Sequence, residues 1–171
     1  NTKKDVIRNQ LLFQVGDIYS KRIADETERL LRTNRYLANA DIIVIPKNND
    51  NIALKVDTQD AWTLNPGFSF GRGGGNNKTS ISLREYNFLG SGTRIGLRYK
   101  SDIDRDSTTF QLSDNNLMGS RHNLILDYAN NSDGHKYLLN LKKPFYSMDT
   151  KDSYGFSISN QSGVESVYKL G

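Results

Sequence analysis

The sequence predicts a small α+β module, helix–helix–strand–strand, followed by an antiparallel up-and-down β-meander of about seven strands. Three observations predict it. Apolar and polar side chains alternate through residues 62–159, and side chains two apart share one face of a strand. Clusters rich in Gly, Asn, Asp and Ser interrupt the alternation at near-regular intervals. A helical period, by contrast, occurs only ahead of the first strand.

Residues 5–13 form the first expected helix, with Ile7 and Leu11 on one face and Gly16 and Asp17 as its break. Ser20 is placed to cap a second helix, where Ile23, Thr27, Leu30 and Leu31 recur at i, i+4, i+7 and i+8. Asp25, Glu26, Glu28 and Arg29 take the solvent side, and Asn34 stops the helix. Two strands follow, residues 40–46 and 52–57. They are joined by Lys47-Asn48-Asn49-Asp50-Asn51, rich in residues that tolerate positive φ.

The meander then places Trp62, Leu64, Phe68 and Phe70 on one face, followed by Ile81 and Leu83. Ile95, Leu97 and Tyr99 come next, then Phe110 and Leu112, then Leu124, Leu126 and Tyr128. Tyr137, Leu139 and Leu141 precede the last set, Tyr154, Phe156 and Ile158. The opposite face carries Ser80, Ser82, Arg84, Arg94, Gly96, Arg98, Lys100, Lys136, Lys142, Ser153, Gly155, Ser157 and Ser159. Connections fall at residues 73–77, 87–92, 102–106, 114–120, 130–134 and 144–152. Strands of about nine to eleven residues span about 30 Å, enough for a tilted path across a bilayer.

Composition narrows the class. The apolar fraction is 36% and mean hydropathy is −0.65, and no run approaches the roughly 20 apolar residues of a membrane-crossing helix. A transmembrane β-barrel escapes that exclusion, because only alternate residues meet lipid. The net charge of +4 is spread among both signs rather than massed, which argues against a nucleic-acid partner. The absence of cysteine fits a bacterial envelope without requiring it.

Signals for chemistry are weak. Residues 71–79 hold the glycines and lysine of a phosphate loop. Asn77 stands where glycine should precede the lysine, however, and a strand follows where a helix is needed, so a hairpin tip is expected. Asp102, Asp104 and Asp106 alternate as in a calcium loop but lack its glycine and closing glutamate. His122 and His135 have no cysteine or carboxylate at ligand spacing, and no nucleophile elbow occurs. No catalytic residue, cofactor or metal is expected, and the chain does not read as an enzyme.

Several motifs carry a family likeness. Leu30-Leu31-Arg32-Thr33-Asn34-Arg35-Tyr36-Leu37 leads from the second helix into the first strand. Arg84-Glu85-Tyr86-Asn87-Phe88-Leu89-Gly90-Ser91-Gly92, Asp114-Asn115-Asn116-Leu117-Met118-Gly119-Ser120-Arg121 and Lys143-Pro144-Phe145-Tyr146-Ser147-Met148-Asp149 fall in connections at one end of the meander. Together these resemble the BamA/TamA superfamily, the bacterial surface antigen family of outer-membrane assembly and translocation proteins. The resemblance covers nearly all the chain. It implies that residues 1–60 are a POTRA-like periplasmic module lacking its first strand, and residues 61–171 the N-terminal portion of an outer-membrane β-barrel of seven or eight strands here. Two departures are plain: the opening residues are too few for a POTRA module's first strand, and the Val-Arg-Gly-aromatic lid motif is missing. The resemblance therefore implies a piece cut inside the last POTRA module and inside the barrel.

The roles implied follow the faces. Alone, an apolar stripe of this kind is more often the inner face of a soluble sandwich; the resemblance makes it a lipid-facing wall in the outer membrane, with Trp62, Tyr99, Tyr128, Tyr137 and Tyr154 as interface anchors. The cationic face is then either a hydrated lumen or an ordinary solvated surface. Ile42, Ile43, Val44 and Ile45 form an edge strand for client augmentation, unless Pro46 and flanking charges blunt it. Pro66, Gly67 and Gly71 weaken the first barrel strand as a lateral seam. The implied partners are outer-membrane lipids, unfolded β-barrel or secreted polypeptide clients, and periplasmic or lipoprotein partners. The alternatives are a barrel that anchors a passenger domain, and a soluble β-barrel ligand-binding protein with a small α+β appendage.

Overall fold

Helix α1 (Lys4–Arg8) is shorter than the expected span. Past Arg8 the chain tightens into i→i+3 bonds, Gln10 N–H to Ile7 and Leu11 N–H to Arg8, so Leu11 still reaches the core without continuing the helix. The computed structural model describes residues 1–47, 51–73 and 76–164. Helix α2 (Lys21–Arg32) follows, with Ser20 at its N-cap position but making no side-chain cap bond. Leu31 and Thr27 are its deepest residues, as the spacing predicts. Glu26 is a correction: it was expected on the solvent side and is buried. Arg29 grips both its carboxylate oxygens at 2.8 Å, and the burial is tolerated because the charge is paired.

Strands β1 (Leu37–Pro46) and β2 (Ile52–Asp60) pair antiparallel and run past the expected limits, because Leu37 already faces Asp60 across an irregularity before Asn39. Positions 48–50 of their predicted turn lie outside the described residues. Leu31, Tyr36, Leu37 and Ala40 form the module's core, packed by Val6, Ile7, Leu11 and Val56.

Seven strands make the second sheet in sequence order: β3 (Leu64–Gly73), β4 (Asn76–Glu85), β5 (Arg94–Ser101), β6 (Asp106–Asp114), β7 (Asn123–Asn131), β8 (Gly134–Lys143) and β9 (Tyr154–Gln161). Each pairs antiparallel with the next. At eight to ten residues the strands are slightly shorter than predicted. The sheet is open among the described residues, with β3 and β9 at its two edges. Residues 74 and 75 of the predicted β3–β4 tip, and any eighth strand over residues 165–171, lie outside the described residues.

Candidate membrane and client-binding surfaces

Cross-strand register decides which side chains share a face. One row runs Leu83, Leu97, Phe110, Tyr128, Tyr137, and the next runs Ile95, Leu112, Leu126, Leu139, Ile158. Phe68, Ile81 and Tyr99 form a third, and Leu124, Leu141 and Phe156 a fourth. The expected apolar residues of β3 to β9 therefore lie on a single face. Its side chains stay exposed or half-buried, Phe68 by 72% and Phe110 by 40%, so no second layer covers the face among the described residues. Trp62 precedes β3, exposed by 85%, and its indole N–H donates to the Leu64 carbonyl.

The register brings Arg84, Arg94, Arg98, Lys100, Lys136 and Lys142 onto the other face. Asp127 is the lone acidic residue within the strands of that face among those described, and Lys100 pairs with Asp102 just beyond β5. Small residues make room for these long cations. A Cβ on Gly155 would stand 2.6 Å from the Lys142 Cβ.

At one end of the sheet the same turn is built twice. Asn87 Oδ1 accepts from Gly92 N–H and Asn116 Oδ1 from Arg121 N–H, both at 2.8 Å. Glu85 and Asp114 accept from the N–H groups of Asn87 and Asn116, and Ser91 and Ser120 donate to the carbonyls of Phe88 and Leu117. Each turn drives one large apolar residue into the left-handed region, Leu89 at φ 52° and Met118 at φ 50°. That conformation costs an L-residue other than glycine about 1–2 kcal/mol.

The α+β module sits against this end. Lys3 N–H donates to the Gly90 carbonyl at 3.0 Å, and Asn87 Nδ2 donates to Thr2 Oγ1. Arg121 reaches from the second turn to the Leu11 carbonyl and the Tyr146 hydroxyl, with its guanidinium over the Tyr146 ring at 4.5 Å. Arg22 of α2 forks onto Asp149 of the β8–β9 connection. Arg35 donates to the Tyr86 hydroxyl. The sequence motifs contained Arg121, Tyr146 and Asp149, but nothing in their spacing showed that they meet the helices. Hydrogen bonding and charge from Arg29 hold the Glu26 carboxyl below the usual carboxylate range, and Arg22 does the same for Asp149. Burial pushes the Tyr36 phenol up.

The edge strand is only partly open. Ile42 N–H donates to Glu28, and Arg32 donates to the Ala40 carbonyl and to Asp41, so two side chains of α2 occupy the first half of the β1 edge. Ile43, Val44 and Ile45 remain exposed. Pro66, Gly67 and Gly71 lie in β3, at the sheet edge. A Cβ on Gly67 would stand 2.7 Å from Ser82 Oγ, whereas one on Gly71 would meet nothing within 4 Å.

The chain superposes on BamA from Haemophilus ducreyi, solved lacking POTRA domains 1–3, with a TM-score of 0.69 over 98% of its length and 16% identity. The fold is BamA-like. The chain spans 35% of that structure's length. No protein-family model and no curated protein matches the sequence. What is shared with the BamA-type barrel is the antiparallel meander and its small helices.

Proposed function

We propose that these residues form the first strands of an outer-membrane β-barrel together with an adjoining POTRA-like periplasmic module, divided near residue 60. The protein would insert barrel proteins into the outer membrane or translocate polypeptide across it. The work is non-catalytic: unfolded clients add as strands to an edge, and the barrel opens at its seam. One observation carries the proposal, the segregation by register of an uncovered apolar face from a cationic one on a BamA-like sheet. Lipid covers the first face and water the second. Client strands add on β1 from Ile43 to Ile45, beyond the part of the edge that Glu28 and Arg32 occupy. The weak strand β3 supplies the seam.

Phe110→Arg and Arg98→Leu test the faces. At mid-bilayer an outward arginine costs about 2–4 kcal/mol, so Phe110→Arg should abolish insertion into lipid vesicles while Arg98→Leu inserts normally. A chain that stays a compact monomer in size-exclusion chromatography with light scattering, indifferent to detergent, would instead have covered its own apolar face and would overturn the assignment. The seam is tested in cells, by barrel-assembly rates. Gly67→Val and Gly71→Val should both slow assembly by stiffening β3, Gly71→Val more because a Cβ there meets nothing, whereas one at Gly67 displaces Ser82 across the seam. Normal assembly with both would remove β3 from the mechanism.

A further inference from the structure

We propose that the connections at the module end of the sheet anchor the protein in the lipid headgroup boundary, with Leu89 and Met118 seated in phospholipid and Phe145 and Met148 beside them. This rests on the assignment of the apolar face to lipid. The first support is the repeated turn itself. Two separate hairpins place a large apolar side chain on a left-handed residue, where glycine or asparagine would be unstrained. Neither side chain is used by the chain: Leu89 is 75% exposed and Met118 96%. A connection that had only to reverse direction would need neither the bulk nor the strain.

Position supplies the second support. Glu85 and Asp114 end β4 and β6 in register with Leu64, Ile95 and Leu124 of the apolar face, so the two turns leave the sheet directly at the end of that face. Trp62 and Tyr154 stand at the same end, the residue types that settle at a membrane–water boundary. Phe145 and Met148 in the third connection at this end are also exposed. The opposite end differs. Its described connections read Asp102-Ile103-Asp104-Arg105 and Ser132-Asp133, with an ion pair between Arg105 and Asp133. The exposed Leu89, Met118, Phe145 and Met148 at the module end, against Ile103 alone among the apolar residues in the described connections of the other end, orient the sheet, with the module on the side of the anchored leaflet.

The sequence has no cysteine, so single probes can be placed cleanly. Chains of this sequence carrying Leu89→Cys, Met118→Cys or Phe110→Cys, each labelled with an environment-sensitive fluorophore, are reconstituted into phosphatidylethanolamine–phosphatidylglycerol vesicles. At positions 89 and 118 we expect a blue shift, loss of quenching by aqueous iodide, and quenching by nitroxide at headgroup depth. At position 110 we expect quenching by nitroxide deep in the acyl chains. If 110 is quenched in lipid while 89 and 118 remain open to iodide, the tips are not anchors, although the lipid-facing sheet stands. If all three remain aqueous, both fall. Met118→Cys carries the test should Leu89→Cys fail to fold.

Discussion

The twin turns permit an internal comparison, because asparagine does related work in each but with different numbers of partners. Asn116 makes one side-chain bond, accepting from Arg121 N–H, and is half-buried, so water can replace it when the side chain is cut back. Asn87 is buried and makes two, accepting from Gly92 N–H and donating to Thr2 Oγ1, each at 2.8 Å. At about 1 kcal/mol per hydrogen bond, Asn116→Ala should cost about 1 kcal/mol. Asn87→Ala loses two bonds and leaves the Gly92 N–H poorly solvated, for a cost of about 2–3 kcal/mol. Denaturant unfolding in micelles can be followed through Trp62, the single tryptophan, which lies beside the first turn, where Tyr86 N–H bonds to the Thr63 carbonyl. Amide exchange should quicken at Gly92 in one variant and at Arg121 in the other. Asn116→Asp keeps the acceptor and should stay near the parent stability. Equal costs for the two alanine variants, or the larger cost at Asn116, would refute the accounting of partners.

Gly90→Ala adds a Cβ at φ +74° that would strike the Asn1 carbonyl, and should cost at least about 1–2 kcal/mol by denaturant midpoint, whereas Gly71→Ala should cost far less. Arg121→Lys removes the fork onto Leu11 and Tyr146 and its stacking, at about 1–2 kcal/mol; a cycle with Tyr146→Phe should show coupling, and additivity would dissolve the pair. Stability should also depend on pH in two windows. Glu26 and Asp149 are held low when folded, so their contribution is full above the unfolded carboxylate range, near 4, and is lost as pH falls through their folded values. Tyr36 is raised when folded, so its contribution is full below about 10 and is lost as pH rises through its folded value. A flat profile of unfolding midpoint against pH across both windows would refute these linkages.

The meander was legible because period-2 alternation is a local property, and the cross-strand register carried each local face into one continuous surface. The apolar residues within the strands met on one face, whereas Trp62 and Ser153, expected on the strands, lie just ahead of β3 and β9. The module's helices were legible in kind but not in detail. Glu26 looks like a solvent residue on any helical wheel, and only Arg29 on the next turn together with the β8–β9 connection folded across α2 explains its burial. The occupation of the β1 edge by Glu28 and Arg32 was illegible for the same reason, since it depends on where α2 lies rather than on the strand's own sequence. Leu89 and Met118 present the opposite case. Local preference argues against a left-handed leucine or methionine, and a place where local rules fail is where function or strain is expected.

The distribution of contacts bears on how a seam at β3 could open. The module holds the sheet through the β4–β5 turn by Lys3 and Thr2, through the β6–β7 turn by Arg121, and through the β8–β9 connection by Arg22. These attachments skip β3. That strand is tied by its ladder to β4, by the bond from Tyr86 to Thr63, and by chain continuity from β2 through Ala61, whose N–H bonds to the Tyr36 carbonyl. Unzipping β3 from β4 would therefore leave every side-chain bridge between module and sheet in place. Pro66 and the three glycines of β3 lower the resistance to that step, since proline has no N–H to give a ladder and glycine gains backbone freedom on release. The arrangement separates the three connections that carry the module from β3, an edge strand held by one ladder and by the chain itself. An opening confined to β3 needs no rearrangement of the module, and so none of the Arg121, Arg22 or Asn87 contacts has to break for it.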